Sequence, residues 1–204
     1  MKTEPTIAGA QGDSFEEWFL ASVSADPMPV DSMLQALAER RIDTSPAQLD
    51  SWGELMEEAL TEQGRGDDVL RVLRLRAASH LGDQAFKAYC EKKLSALARN
   101  DTVRKALIAN SGFDKPVSLQ ECLRRLDTLT RMAPGLYCMD KTWGFGVIRN
   151  VEPFYGRVIV DFARKPAHDM SMAYAAETLQ FVGEDHLLAR RHRDPAALGA
   201  LMKE

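Results

Sequence analysis

Apolar residues change their spacing once along this chain, close to residue 134. Before that point they recur every three or four positions, which predicts amphipathic helices; after it short runs alternate apolar and polar residues, which predicts strands. Pro134 and Gly135 lie at the change, and a Pro-Gly pair stops a helix. The pattern predicts an α+β chain with four parts: a disordered start over residues 1–12, an α-helical array over 13–133, a small β-domain over 134–183 and a helical segment over 184–204.

The helical array is expected to contain seven helices, each opened by a capping or turn residue and continued by an apolar stripe. The third is the clearest, because Thr44 or Ser45 suits the cap, Pro46 suits the first position and Gly64 marks the end. Short connections predict antiparallel helical hairpins, and no fixed repeat of about 33 to 47 residues relates them. Such surfaces usually bind protein. The expected starts lie near Asp13, Pro29 or Asp31, Ser45, Asp68, Gln84, Asp101 and Ser118.

The β-domain is organised around the motif Trp143-Gly144-Phe145-Gly146, whose glycines tolerate the bend of a small sheet. Eight of the fifteen aromatic residues lie between positions 137 and 181. Five short strands in about 50 residues favour a closed SH3-like barrel, and at least one of Trp143 and Phe145 is expected in its core. Strands are predicted at 147–149, 157–162, 170–174 and 179–182, with a hairpin at 152–156 and a helical turn at 174–177.

Four segments of this domain carry a family resemblance: residues 143–148, 157–162, 168–170 and 175–179. Together they resemble the Tudor-like or SH3-like module of RNA-polymerase-associated bacterial proteins. Residues 134–204 look like part of the long N-terminal extension of some Gre-type transcription elongation factors, in which helices precede the barrel and an Asp-Pro-containing helix follows it. The resemblance implies a bacterial protein of transcription elongation, with RNA polymerase as its partner. Over the helices the resemblance is architectural only.

The chain also departs from that family. A Gre-type cleavage factor needs a long coiled coil with acidic residues at its tip, and no long heptad run ending in an acidic pair occurs here. The chain is therefore expected to be either a fragment without the effector portion or a stand-alone binding module. Neither alternative predicts transcript cleavage, and we expect no enzymatic activity.

Charge and composition narrow the classes of partner. Residues 1–60 carry 12 acidic and 3 basic residues, and the remainder carries 23 basic and 18 acidic residues. This mild asymmetry is not the basic stripe of a dedicated nucleic-acid-binding domain. No apolar run approaches the roughly 18 residues of a membrane span, and the start has no apolar signal core. We therefore expect a cytoplasmic protein without a membrane partner.

No motif predicts a cofactor, a metal site or a catalytic group. Three widely spaced cysteines form no CxxC pair, so reduced core residues are expected. Four histidines are scattered, and the two His-Asp neighbours would point to opposite faces of a strand. Gly144-Phe145-Gly146 lacks the third glycine and the helix of a dinucleotide fingerprint. Motifs of hydrolases, zinc proteases and phosphate loops are missing as well.

Three hypotheses follow. In the first, the barrel docks on RNA polymerase or another transcription protein through its exposed edges and through the aromatic residues Trp143, Phe145, Phe154 and Tyr155. In the second, basic residues among these aromatics bind RNA or DNA, against which acidic neighbours argue. In the third, an enzymatic site is assembled between the two domains. No residue pattern supports this third hypothesis. Neither the oligomeric state nor the identity of the partner follows from the sequence. The candidate partner-binding residues are Trp143, Phe145, Arg149, Phe154, Tyr155, Arg157, Arg164 and Lys165.

Overall fold

The computed structural model describes residues 13–40 and 43–194. The predicted disordered start and the chain from Pro195 onward lie outside these residues, as does Ile42, whose position predicts it in the apolar stripe of the second helix. Helices come first and an antiparallel sheet lies in the C-terminal half, which confirms the predicted α+β class and order. Contacts group the chain into two compact units: Met1–Leu97 with Ser118–Gln120, called the helical unit, and Ala98–Val117 with Glu121–Glu204, called the sheet unit.

The helical unit is built from amphipathic helices whose apolar stripes face one another. Ser45 caps the third helix, as predicted, because its hydroxyl accepts a hydrogen bond from the Gln48 N–H at 3.2 Å. Phe15 and Phe19 pack on Trp52, with ring centroids 5.0 and 5.8 Å apart. Each such buried side chain stabilises the fold by roughly 1.5–3 kcal/mol. The helices are α1 Asp13–Val23, α2 Val30–Glu39, α3 Pro46–Glu62, α4 Gly66–Ala77 and α5 Gln84–Leu97.

The sheet unit combines helices with a five-stranded antiparallel sheet of order β4-β3-β2-β1-β5. Contacts group α6 and residues 121–131 of α7 with this sheet, although the change of pattern near residue 134 follows them in sequence. The elements are α6 Thr102–Asn110, α7 Leu119–Arg131, β1 Tyr137–Asp140, β2 Gly144–Glu152, β3 Arg157–Phe162, β4 Lys165–Ser171, α8 Met172–Thr178, β5 Gln180–Val182 and α9 Leu187–Arg193.

One face of the sheet forms a core, as the alternation along β3 predicts. Gly146 is part of that face because a Cβ there would lie 2.6 Å from Cδ1 of Phe162 and 2.9 Å from Cγ1 of Val160. The second glycine of the aromatic motif thus admits the Phe162 ring against the backbone of β2. Buried side chains on this face are Cys138, Ile148, Val158, Val160, Phe162 and Met170.

The predicted hairpin at 152–156, the strand at 157–162, the helical turn and the closing strand are confirmed. The third predicted strand, 170–174, is wrong: β4 is Lys165–Ser171, and the chain turns helical at Met172. The reason is Ser171, whose hydroxyl accepts a hydrogen bond from the Tyr174 N–H at 3.2 Å and so caps α8. The first strand, Tyr137–Asp140, was not predicted as a separate element.

Closure into a barrel is not observed. Within the described residues β4 and β5 are the two edges of the sheet, and no pairing joins them. The strand order supports only an open antiparallel sheet. Both edges are poorly suited to further pairing, since β5 has three residues and β4 contains Pro166 and Ala167, the latter with a φ of 49°.

Candidate functional site

Two large aromatic side chains project from the hairpin between β2 and β3. Phe154 and Tyr155 are 69% and 76% exposed, although most side chains of this type are buried. They lie on a 3-10 turn, Pro153–Tyr155, which Gly156 ends in the left-handed region with a φ of 60°. The Gly156 N–H donates to the Pro153 carbonyl at 3.1 Å. The local sequence therefore holds both rings outward on a hydrogen-bonded turn.

Arg157 completes this surface, which we call the aromatic turn and define as Phe154, Tyr155 and Arg157. The Arg157 guanidinium lies 5.6 Å from the centroid of the Tyr155 ring. It also pairs with Glu152 at 2.7 Å and Asp169 at 3.2 Å. The hydrogen bond to Glu152 raises the pKa of Arg157 above its ordinary value. The cation is thus held in place by two carboxylates rather than offered to phosphate.

Neighbouring elements support the aromatic turn from behind. The Met172 N–H, at the start of α8, donates to the Gly156 carbonyl at 2.7 Å. On the other side, a Cβ at Gly156 would lie 3.2 Å from Oδ1 of Asn110 in α6. Glycine at this position therefore serves both the positive φ and the close approach of α6.

Trp143 lies away from the aromatic turn, at the turn between β1 and β2. Asp140 shapes that turn, since its Oδ1 accepts hydrogen bonds from the Thr142 N–H at 2.7 Å and the Trp143 N–H at 2.9 Å. The indole ring is half-buried beside His168, at 5.1 Å between centroids, and Nζ of Lys165 lies 4.4 Å from its centroid. Trp143 and Lys165 thus form one cluster, separate from the aromatic turn.

Phe145 lies in a third place, on the face of the sheet opposite the core. Its ring stacks on Tyr137 at 5.6 Å and lies 6.0 Å from His192 of α9. Phe145 and Trp143 are both half-buried, so the expectation that at least one of them lies in the core is wrong. The physical reason is the alternation of β2, which directs Gly146 and Ile148 to the core and Phe145 away from it.

The remaining basic candidates are scattered. Arg149 lies 3.9 Å from Asp161 on the neighbouring strand, and Arg164 is exposed at the turn between β3 and β4. The eight candidate residues therefore do not converge on one site. Phe154, Tyr155 and Arg157 form the aromatic turn, while Phe145 and Trp143 lie at the other end of β2.

The helical unit contains a buried charge network that no sequence pattern predicted. The Glu57 side chain is fully buried and receives Nη1 of Arg76 at 2.6 Å, Nζ of Lys93 at 3.2 Å and a hydrogen bond from the Tyr89 hydroxyl. Asp50 accepts from Nε of Arg76 at 2.8 Å. These contacts join α3, α4 and α5. We call Asp50, Glu57, Arg76, Tyr89 and Lys93 the ion network.

Electrostatics of the ion network indicate a structural role. Burial tends to raise the pKa of Asp50, yet the hydrogen bond from Arg76 brings the pKa below its ordinary value. Burial and the hydrogen bond to Glu57 raise the pKa of the Tyr89 hydroxyl. The Asp50 carboxylate therefore stays charged and the Tyr89 phenol stays neutral over the physiological range. A sequence signal existed: Glu57 and Arg76 both interrupt apolar stripes, three residues from Leu60 and Leu73 respectively.

Burial keeps two of the three cysteines in the unreactive thiol form. All three cysteines are buried and none forms a disulfide. Burial raises the pKa of Cys90 and of Cys138 to about 12, so both stay thiols near neutrality. Among residues 13–40 and 43–194, no three His, Cys, Asp or Glu side chains are grouped as metal ligands. Over the same residues, no helix combines the length and the apolar character needed to cross a membrane.

The chain was compared with protein-family models, with curated proteins and with solved structures. None of the three comparisons found a match. The resemblance to the Gre-type extension stays a prediction from the sequence.

Proposed function

We propose that the sheet unit is a non-catalytic protein-interaction module that docks on a transcription protein, RNA polymerase first among them, through the aromatic turn. The observation that carries the proposal is the exposure of two adjacent aromatic rings, 69% for Phe154 and 76% for Tyr155. Tyr and Arg are enriched among the residues that dominate binding energy at protein interfaces, where they fill desolvated pockets. An outward pair of rings beside an arginine fits that description.

Preorganisation supports the same conclusion. The rings lie on a hydrogen-bonded 3-10 turn, and Arg157 is already oriented by Glu152 and Asp169. Immobilising a flexible side chain on binding opposes association by about 0.5–1.5 kcal/mol. A surface whose side chains are held before binding loses less of this entropy, so more of the contact free energy remains for association.

The mode of docking follows from the sheet edges. Strand addition needs an edge with free, regular backbone groups. The three residues of β5 and the Pro166 and Ala167 positions of β4 do not supply one. Docking is therefore expected through side chains of the aromatic turn inserted into pockets of the partner.

The family part of the proposal rests on connectivity and resemblance together. β1 to β4 form a meander, and β5 returns after α8 to pair with β1. That connectivity is compatible with an SH3-like or Tudor-like module, which we propose for residues 134–183. The transcription context comes from the sequence resemblance of the same residues to the Gre-type extension, and a cytoplasmic location accords with it.

The test is binding of the full chain to purified bacterial core RNA polymerase, measured by biolayer interferometry. We expect the wild-type chain to bind and the double variant Phe154→Ala/Tyr155→Ala to lose about tenfold or more in affinity. Leu81→Ala is the matched control, because Leu81 is 77% exposed and belongs to the helical unit. This control is expected to bind within about twofold of wild type. Absence of wild-type binding at low salt, or equal binding by the double variant, contradicts the proposal.

Nucleic-acid binding is the second candidate, and the Trp143 cluster favours it. An indole with Lys165 above its ring and His168 beside it combines a stacking surface with a cation. Its test is the salt dependence of binding to a single-stranded RNA oligonucleotide. If Trp143→Ala/Lys165→Ala loses RNA binding and Phe154→Ala/Tyr155→Ala retains it, RNA becomes the favoured partner in place of a protein.

A further inference from the structure

A groove lies on the outer face of the sheet, where α9 covers it in part. It has a volume of about 450 Å³ and is lined by Phe145, Ala163, Leu188, Arg191 and His192. Ligand-binding clefts typically measure about 300–1,000 Å³ and combine an apolar lining with a few polar groups. The groove therefore has the size and lining of a recognition site.

The apolar part of the groove arises from the register of the sheet. Met139 pairs with Phe145 and Tyr137 with Val147, so these four side chains share the outer face. All four are half-buried, although a solvated outer face normally carries polar residues. The face is thus an apolar surface that α9, seven residues long, covers incompletely.

The polar part of the groove is cationic. The last turn of α9 carries Arg190, Arg191, His192 and Arg193, and no carboxylate belongs to this helix. Arg193 pairs with Glu184 at 2.9 Å, while Arg191 and His192 line the groove. An occupant that complements both parts brings negative charge beside a large apolar side chain.

We infer that this groove binds an acidic protein segment in which a large apolar side chain is flanked by Asp or Glu. The apolar side chain would lie among Phe145, Ala163 and Leu188, and the carboxylate would pair with Arg191. A peptide fits better than a nucleic acid, because Tyr137 already stacks on the Phe145 ring. The inference does not depend on the aromatic turn, which lies at the other end of β2.

The experiment is a selection of displayed random dodecapeptides on the full wild-type chain, followed by fluorescence polarisation with the enriched peptides. Enriched sequences are expected to place Asp or Glu next to Phe, Trp, Leu or Ile. Arg191→Glu and the groove-filling Ala163→Trp are each expected to weaken binding by about tenfold or more. Arg190→Glu is the matched control: it reverses a charge on the same helix outside the groove lining and is expected to change affinity less than about threefold.

Circular dichroism checks that the variants are folded. A second control exchanges the charges of the peptide and the groove, and its expected result, a gain of binding, does not arise from unfolding. A peptide whose Asp or Glu is replaced by Lys is expected to bind Arg191→Glu better than it binds wild type. The inference is overturned by enrichment of neutral or basic peptides or by no enrichment at all. It is also overturned if Arg191→Glu and Ala163→Trp leave binding unchanged, or if only Phe154→Ala/Tyr155→Ala loses binding. Displacement of the peptides by oligouridylate at low concentration would identify the groove as a phosphate site instead. Because no polymerase is used, failure here leaves the proposed docking function standing.

Discussion

The helical unit and the sheet unit place their unusual residues in opposite environments. In the helical unit, charged groups are buried: Glu57 is fully buried and Arg76 is 5% exposed. In the sheet unit, large aromatic groups are exposed, with Phe154 and Tyr155 the clearest examples. Burying a charge and exposing a large aromatic ring both raise the free energy of the folded state unless other contacts offset the increase. The two units offset it in different ways.

Compensation for the buried charges lies inside the chain. Arg76, Lys93 and the Tyr89 hydroxyl all contact Glu57, so its lone pairs are satisfied. For the exposed rings, the contact seen among the described residues is that of Arg157 with the Tyr155 ring, and both rings stay largely accessible to solvent. The ion network therefore stabilises the fold, whereas the rings of the aromatic turn are accessible to a partner. The substitutions below test this contrast, from the largest expected effect on stability to the smallest.

Arg76→Met is expected to have the largest effect. Methionine retains the packing of the aliphatic stem but leaves Asp50 and Glu57 without their shared cation. Removing one partner of a buried ion pair destabilises a protein by about 3–5 kcal/mol. Urea unfolding followed by circular dichroism measures the loss. Arg193→Met is the control, because the Arg193–Glu184 pair is exposed and is expected to contribute less than about 1 kcal/mol. A loss of unfolding free energy as small as that of Arg193→Met would contradict a structural role for the ion network.

Gly146→Ala tests whether the glycine motif serves the fold of the sheet unit. The added Cβ would meet the Phe162 ring at 2.6 Å, and overpacking of this kind destabilises by about 1–3 kcal/mol. Gly144→Ala is the matched comparison. It meets no atom within 4 Å but must adopt a φ of 74°, at a penalty of about 1–2 kcal/mol. Thermal unfolding of both variants distinguishes a packing role from a conformational one. An unchanged midpoint for Gly146→Ala would contradict the tight contact.

Glu121→Gln tests an intermediate case, a half-buried carboxylate that pairs with two arginines of its own helix, α7. Hydrogen bonds from Arg124 and Arg125 lower the pKa of Glu121 to about 2 from 4.5. A lowered pKa stabilises the folded state fully above pH 4.5, and this contribution is lost as the pH falls towards 2. We expect the variant to lose about 1–2 kcal/mol at pH 6 and the difference from wild type to shrink by roughly half at pH 3. A difference independent of pH, measured by urea unfolding, would argue against this charge pairing.

Much of the fold could be predicted from local patterns. Caps and stripes located α1 to α7, because helix starts depend on nearby residues such as Ser45 and Asp101. The β2–β3 hairpin was predictable for the same reason. β4 was misplaced because it is an edge strand with Pro166, and its pairing with β3 depends on tertiary contacts. Barrel closure was inferred from strand number, which leaves the pairing of the edges undetermined.

The candidate sites were less predictable, because they depend on which side chains meet. Phe154 and Tyr155 were candidate contacts from the predicted hairpin, but whether their rings lie in the core or at the surface did not follow from the sequence. The separation of Trp143, Phe145 and Arg157 into three places requires the register of the sheet. The ion network joins residues of three helices, so no local sequence motif predicts it. The groove likewise needs α9 to lie on the sheet.

The most direct test of the contrast between the two units is the free energy of unfolding of Phe154→Ala/Tyr155→Ala, measured by urea titration. Truncating surface side chains that serve no packing changes stability by about 0.5 kcal/mol or less. We predict an unfolding free energy within that margin of wild type, together with the loss of partner binding. A loss of about 3 kcal/mol or more, as expected for buried aromatic side chains, would assign the aromatic turn to the fold and contradict its role as a docking surface.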